Sequence, residues 1–219
     1  MKHALGFFSV AVTLLLSGCA KQAPYDYAAF HESKPKSILV LPPVNQSPDV
    51  KASHSVLAST TLPLAEAGYY VLPVAVVEET FQQNGLTNAN DIRAVSIQKL
   101  HKIFGADAVL YLDVTQYGTS YIVINSETRV TVKARLVDLR NGKQLWAGSA
   151  TASSNENNNN SSGGLLGMVI SAAIAQIADT ISDKGFDVGA IANTRLLSAN
   201  GQNGAILYGP RSPHYASQR

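Results

Sequence analysis

Of the residues that could carry chemistry, the one cysteine, Cys19, stands in a context that gives it a defined reaction. It follows Leu16-Ser17-Gly18, where small residues let the chain enter a peptidase cleft in extended form. As a thiolate it is the nucleophile that can accept a diacylglyceryl group. The five histidines, His3, His31, His54, His101 and His214, show no metal-ligand spacing with one another or with acids. His101 lies in a lysine-rich segment and reads as solvated. Glu78 and Glu79 are adjacent, so on a helix their side chains diverge by about 100° and cannot share a proton. Asp113 sits in an apolar run, where a lone carboxylate is a hydrogen-bonded structural residue more often than a catalyst. Gly163-Gly164 precedes a helical segment without the strand end and lysine of a phosphate loop. No nucleophile elbow or dinucleotide fingerprint is present, so catalytic, cofactor-binding and metal-binding residues are all expected to be none.

The elements around Cys19 give that thiol its setting. Met1-Lys2-His3 is a short basic start, and Ala4–Leu16 is an apolar run too short to span a bilayer as a helix. Residues 1–18 therefore read as a signal peptide, with Cys19 the lipid-bearing first residue of the mature chain. That chain has 219 − 18 = 201 residues, enough for one good-sized core. With no second cysteine it has no internal disulfide. Loss of Lys2 leaves 16 basic against 15 acidic residues, a net of +1, which argues against nucleic acid as a partner. No small-molecule substrate is implied. Ala20 stands where an aspartate would resemble an inner-membrane retention signal, so the outer membrane is expected. Residues 19–36 lack periodicity and contain Pro24 and Pro35, and they read as a lipidated tether. Tyr25, Tyr27 and Phe30 offer the alternative of docking on the domain or on a partner.

The folded domain is expected over 37–198, with an extended tail over 199–219. Ser37–Val44 reads as a strand buried on both faces and stopped by Pro42-Pro43. A helix capped by Asp49 or Ser53 runs to Ala67, kinked or split at Pro63, and Tyr69–Val74 forms a second strand. That alternation predicts a parallel pair with a crossover. A helix over Ala75–Gln83 is followed by one capped by Asp91 and closed at Gly105. Ala108–Gln116 is a third strand, and residues 128–139 alternate as an antiparallel one with a solvated face. Asn141-Gly142 predicts a tight hairpin with φ > 0 at both residues, returning through Gln144–Thr151. Ser153–Gly164 is a polar low-complexity loop. Leu165–Ser182 forms an apolar helix that either lies on the sheet or serves as an interface. Val169, Ala172, Ala173 and Ala178 widen its apolar stripe, and the tail carries a second apolar patch. Ala172, Ile206, Leu207 and Tyr208 are therefore the candidate partner-binding residues. The fold class is α/β: a single mixed sheet of about five strands with helices on its faces, ending in an antiparallel hairpin and a C-terminal helix.

Three stretches carry a resemblance: Ala67–Leu86 (AGYYVLPVAVVEETFQQNGL), Phe104–Val114 (FGADAVLYLDV) and Ile206–Tyr215 (ILYGPRSPHY). Together they resemble the bacterial outer-membrane lipoprotein family typified by a meningococcal surface-antigen candidate. More distantly, the element order and Leu136–Gly148 (LVDLRNGKQLWAG) resemble the CsgG and TolB N-terminal α/β domains. The resemblance implies a lipid-anchored, non-enzymatic accessory or assembly subunit in the periplasm. Its implied partners are envelope proteins, among them a CsgG-like secretion lipoprotein, while the apolar helix and tail patch allow self-association. The alternative from a different class is a pore-forming secretion-channel subunit of the CsgG type. An envelope hydrolase is a third option with no residues to support it. Membrane-crossing strands need roughly nine to eleven alternating residues each, and the sequence leaves no spare pair once 128–151 completes the sheet.

Overall fold

The computed structural model describes residues 23–122, 125–156 and 183–218. A six-stranded mixed sheet in the order β3-β1-β4-β5-β6 organises the chain, with the short β2 also pairing β4. Its strands are β1 (Ser37–Val40), β2 (Val44–Asn45), β3 (Tyr70–Val71), β4 (Ala108–Ile122), β5 (Asn125–Asp138) and β6 (Gln144–Ser153). Its helices are α1 (Ala28–Ser33), α2 (Ala52–Glu66), α3 (Val74–Gln83), α4 (Ala89–Arg93), α5 (Ile97–Phe104) and α6 (Lys184–Leu197). β1 runs parallel to both β3 and β4, as the strand–helix alternation predicts. β4, β5 and β6 are antiparallel.

Two apolar cores flank the sheet. One face carries Val40, Leu110, Leu112, Val132, Leu136 and Trp146 under α2 and α6. The other carries Leu39, Val109, Tyr111 and Val137 under α3, α4 and α5. β1 and β4 are covered on both faces, which is why their sequences run apolar without alternating. A register shift between Val114 and Gln116 turns the parity of β4, so Tyr117 joins Leu110, Leu112 and Val114 on the larger core.

Several local expectations change. Residues 37–45 form two short strands because Pro42 and Pro43 remove the ladder donors between them. The strand read over Tyr69–Val74 is only Tyr70–Val71. Pro63 does not split α2; it lies in the last turns, where the helix loses one backbone donor and continues to Glu66. The helix read from Asp91 is two helices, capped by Asn88 on Asn90 N–H and by Ser96 on Lys99 N–H. Gly105 closes α5 in the left-handed conformation, as read. β4 and β5 are longer than read and pair directly, from Ala108↔Asp138 to Ile122↔Asn125. The β5–β6 hairpin exists, but Asn141 does not have φ > 0; only Gly142 does, at 76°. Asp138 N–H bonds Lys143 O and Gly142 N–H bonds Asp138 O, giving a longer loop. The helix read over Leu165–Ser182 lies outside the described residues. Beside α2, the larger core is covered by α6, held by Val188, Ile191, Ala192, Leu196 and Leu197.

Gly68 marks where the C-terminal segment crosses the end of α2. Its φ is +97°, and a Cβ there would lie 2.4 Å from Ser212 N and 2.8 Å from Gly209 O. Gly85 has φ +76° with open space around it. Gly85→Ala should therefore cost only the left-handed penalty, about 1–2 kcal/mol. Gly68→Ala meets backbone as well and should cost more than about 3 kcal/mol. Urea unfolding of the two variants checks this, and equal losses would contradict it.

Candidate partner-binding surface

The two ends of the chain meet on the core face of the sheet. The N-terminal segment is not a free tether from Ala23 onward. Asn203 Nδ2 donates to Ala23 O at 2.8 Å, and Tyr25 N–H donates to Asn203 Oδ1 at 2.6 Å. Tyr25 Oη accepts the N–H of Ala147 on edge strand β6 at 2.9 Å, and Tyr27 Oη donates to Ala205 O at 2.6 Å. The Tyr25 and Tyr27 rings lie 4.7 Å apart, and Phe30 is buried in the larger core. The lipidated tether read over 19–36 is thus, over 23–36, a strap on the domain, in line with the docking alternative for its aromatics.

The C-terminal segment is held by the same kind of contact. Trp146 Nε1 donates to Gly204 O at 2.9 Å and Tyr69 Oη donates to Leu207 O at 2.6 Å. Gly209 N–H donates to Ala67 O at 2.8 Å and Arg211 N–H to Gly68 O at 3.1 Å. Burial pushes the Tyr69 hydroxyl well above its ordinary pKa, with Tyr215 adding to the rise.

These contacts redistribute the candidate residues. Ile206 is 1% exposed and belongs to the core, so it leaves the partner-binding set: a charge there would sit among Trp146 and its neighbours and unfold the chain. The extended tail is for the same reason a packed segment. Leu207 and Tyr208 remain partly exposed, and Ala172 lies outside the described residues. Leu207 and Tyr208 line two adjoining clefts of about 530 and 490 Å³, together with His31 and Gln218. Phe30, Lys34 and Tyr215 complete the first, and Tyr27 and Asn203 border the second. The Tyr208 ring stands 5.1 Å from that of His214. Gln218 holds Tyr208 through its backbone, Nε2 donating to Tyr208 O at 2.7 Å. Neither cleft was legible beforehand, because each is built from both chain ends.

Elsewhere, polar side chains bind elements to one another. Arg93 grips Asp113 with two bonds of 2.5 and 2.6 Å, and Arg93 and Arg135 stack over the Tyr111 ring. His101 Nδ1 lies 3.0 Å from Ala106 O, its N–H donating there, so that ring is bonded as well as solvated. Among the described residues, no group of three His, Cys, Asp or Glu could hold a metal ion. None of their helices is long and apolar enough to cross a membrane.

The strap is fastened at its other end by Asp138, whose side chain is fully buried. Ser33 Oγ donates to it at 2.6 Å, Arg140 Nη2 at 2.6 Å, Arg140 Nε at 3.0 Å and the Arg140 backbone N–H at 2.8 Å. Burial by itself would raise this carboxyl, but the Arg140, Ser33 and backbone donors outweigh it and hold it below the usual range. A lowered folded-state pKa means stability that is present above the unfolded value, about 3.9, and lost as pH falls through the folded one. Asp138→Asn should cost about 2–4 kcal/mol at pH 7, because it removes the charge that pairs with Arg140 and turns one of the two acceptor oxygens into an amide donor. It should also flatten the loss of stability as pH falls below about 4. Urea melts at several pH values check both, and an unaltered acid limb would contradict the assignment.

The GNA1162-like family model, described as "Putative lipoprotein GNA1162-like", matches residues 25–211. The chain is 60% identical over 204 residues to the lipoprotein NMB1124/NMB1162 of Neisseria meningitidis serogroup B, covering 92% of this chain and 94% of the relative. The crystal structure of lipoprotein GNA1162 from Neisseria meningitidis superposes with a TM-score of 0.55 at 63% identity, covering 67% of this chain and all of that one. The PelC dodecamer structure from Paraburkholderia phytofirmans matches at 15% identity and a TM-score of 0.42, over 81% of this chain and 93% of that one. Nothing about partners or assembly follows from that last likeness. By the family match and the 60% identity across nearly its whole length, this chain belongs to the GNA1162-like lipoprotein family.

Proposed function

We propose that this protein is a non-enzymatic lipoprotein, acylated at Cys19 and held at the outer membrane, whose periplasmic domain binds other envelope proteins as an accessory subunit. The observation that carries the reading is the pair of clefts between strap and C-terminal segment. They are lined by Leu207, Tyr208, Phe30 and Tyr215, aromatic and aliphatic groups of the kind that anchor protein interfaces. Their occupant in this reading is an extended segment of another envelope protein. The likeness read in Leu136–Gly148 would nominate a CsgG-like lipoprotein, and a second copy of this chain is the competing occupant.

The accessory role fits better than the pore-forming one. Past the Arg129↔Ser153 pair, where β6 stops, the β4–β5 hairpin continues for four paired positions, Thr119↔Thr128 to Ile122↔Asn125. A membrane-crossing strand needs about nine to eleven residues. The surface is tested with Leu207→Glu and Tyr208→Ala, whose side chains are only partly buried. Each variant should melt within a few degrees of wild type, yet lose at least about fivefold in its crosslinked partner or oligomer when purified from cells. Variants that fold and keep every crosslink would overturn the reading.

A further inference from the structure

The strap sets how far the folded body can stand from its anchor. The chain is pinned from Ala23 onward by the reciprocal pair of bonds to Asn203. Only Ala20, Lys21 and Gln22 separate Ala23 from Cys19. Four peptide steps reach at most about 14 Å whatever their conformation, whereas a leash to Ser37 would reach about 60 Å. Acyl chains on Cys19 hold that residue at the bilayer surface. The turn around Asn203 must then lie beside the headgroups.

The character of that turn suits the position. From Leu196 through Pro210 the chain carries no charged residue, while Arg195 and Arg211 bracket the stretch. Gly201, Gln202 and Asn203 are exposed. The acids Glu78 and Glu79 lie on α3, which packs on the opposite face of the sheet, over the far strands. An anionic bilayer would accept the uncharged turn at no electrostatic cost and would repel α3. We propose that the turn Asn200–Gly204 is the membrane-facing surface of the domain: the bilayer that holds the Cys19 acyl chains is its partner, and α3 is turned away. This orientation rests on acylation at Cys19. It places the clefts beside the membrane, within reach of a partner that is itself anchored there.

The test uses the lipidated full-length mature chain in phosphatidylcholine vesicles containing about one fifth phosphatidylglycerol. A fluorophore is attached at Gln202→Cys or at Glu79→Cys, and headgroup-nitroxide lipids serve as the quencher. Quenching at position 202 should exceed that at 79 at least threefold. A ten-residue Gly/Ser insertion between Gln22 and Ala23 should at least halve the 202 signal. Equal quenching at the two positions, or a signal at 202 unmoved by the insertion, overturns the orientation while leaving the anchoring intact. If the wild-type chain floats with the vesicles no better than Cys19→Ala does, anchoring at Cys19 is wrong and the orientation falls with it.

Discussion

The fold depends on closing the edge strand β6. Trp146 is buried there to 1% exposure, and its indole N–H must find an acceptor once water is excluded. The acceptor is the carbonyl of Gly204, and the neighbouring Ala147 N–H is taken by Tyr25 Oη. One bond comes from the C-terminal segment and the other from the N-terminal strap, and Asn203 ties the two segments together. Neither end could leave without stranding a buried polar group and uncovering Phe30 or Ile206. An open antiparallel edge would otherwise offer unpaired backbone to other chains.

That constraint reaches function through geometry. A strap bound along β6 shortens the path from Cys19 to the folded body, and a C-terminal segment bound beside it creates the clefts that carry Leu207 and Tyr208. Anchor and candidate binding surface are thereby neighbours. Elsewhere, carboxylates are paired with arginines: Asp113 with Arg93, Glu156 with Arg195, Asp138 with Arg140. Each is an ion pair that fixes neighbouring elements, and none forms a nucleophile–base pair.

What could be read in the sequence was what local pattern determines. The apolar runs of β1 and β4, the alternation along β5 and the Gly105 cap each depend on neighbouring residues, and the parallel–antiparallel mix of the sheet follows from them. The strap was harder, because Tyr25, Tyr27 and Phe30 have no period and their partners lie more than a hundred residues away. Ile206 read as surface since nothing near it in the chain says what covers it. Helix α6 was missed because Gly185 and Gly189 depress helix propensity. Gly185 is nonetheless required, since a Cβ there would lie 2.7 Å from the Tyr117 ring. The spacing of Val188, Ile191, Ala192 and Leu196 was the available signal. The Asn-Gly dipeptide marked the hairpin correctly but not its loop length, which the Asp138–Lys143 and Asp138–Gly142 bonds set.

Amide hydrogen exchange on the mature chain measures the docking of the strap. A docked strap predicts that the amides of Tyr25, His31 and Lys34, bonded to Asn203 Oδ1, Tyr27 O and Phe30 O, exchange at least about a hundredfold slower than in an unstructured peptide. Exchange across residues 25–36 at the unprotected rate, with β4 and β5 still protected, would make this segment a free tether and contradict the account.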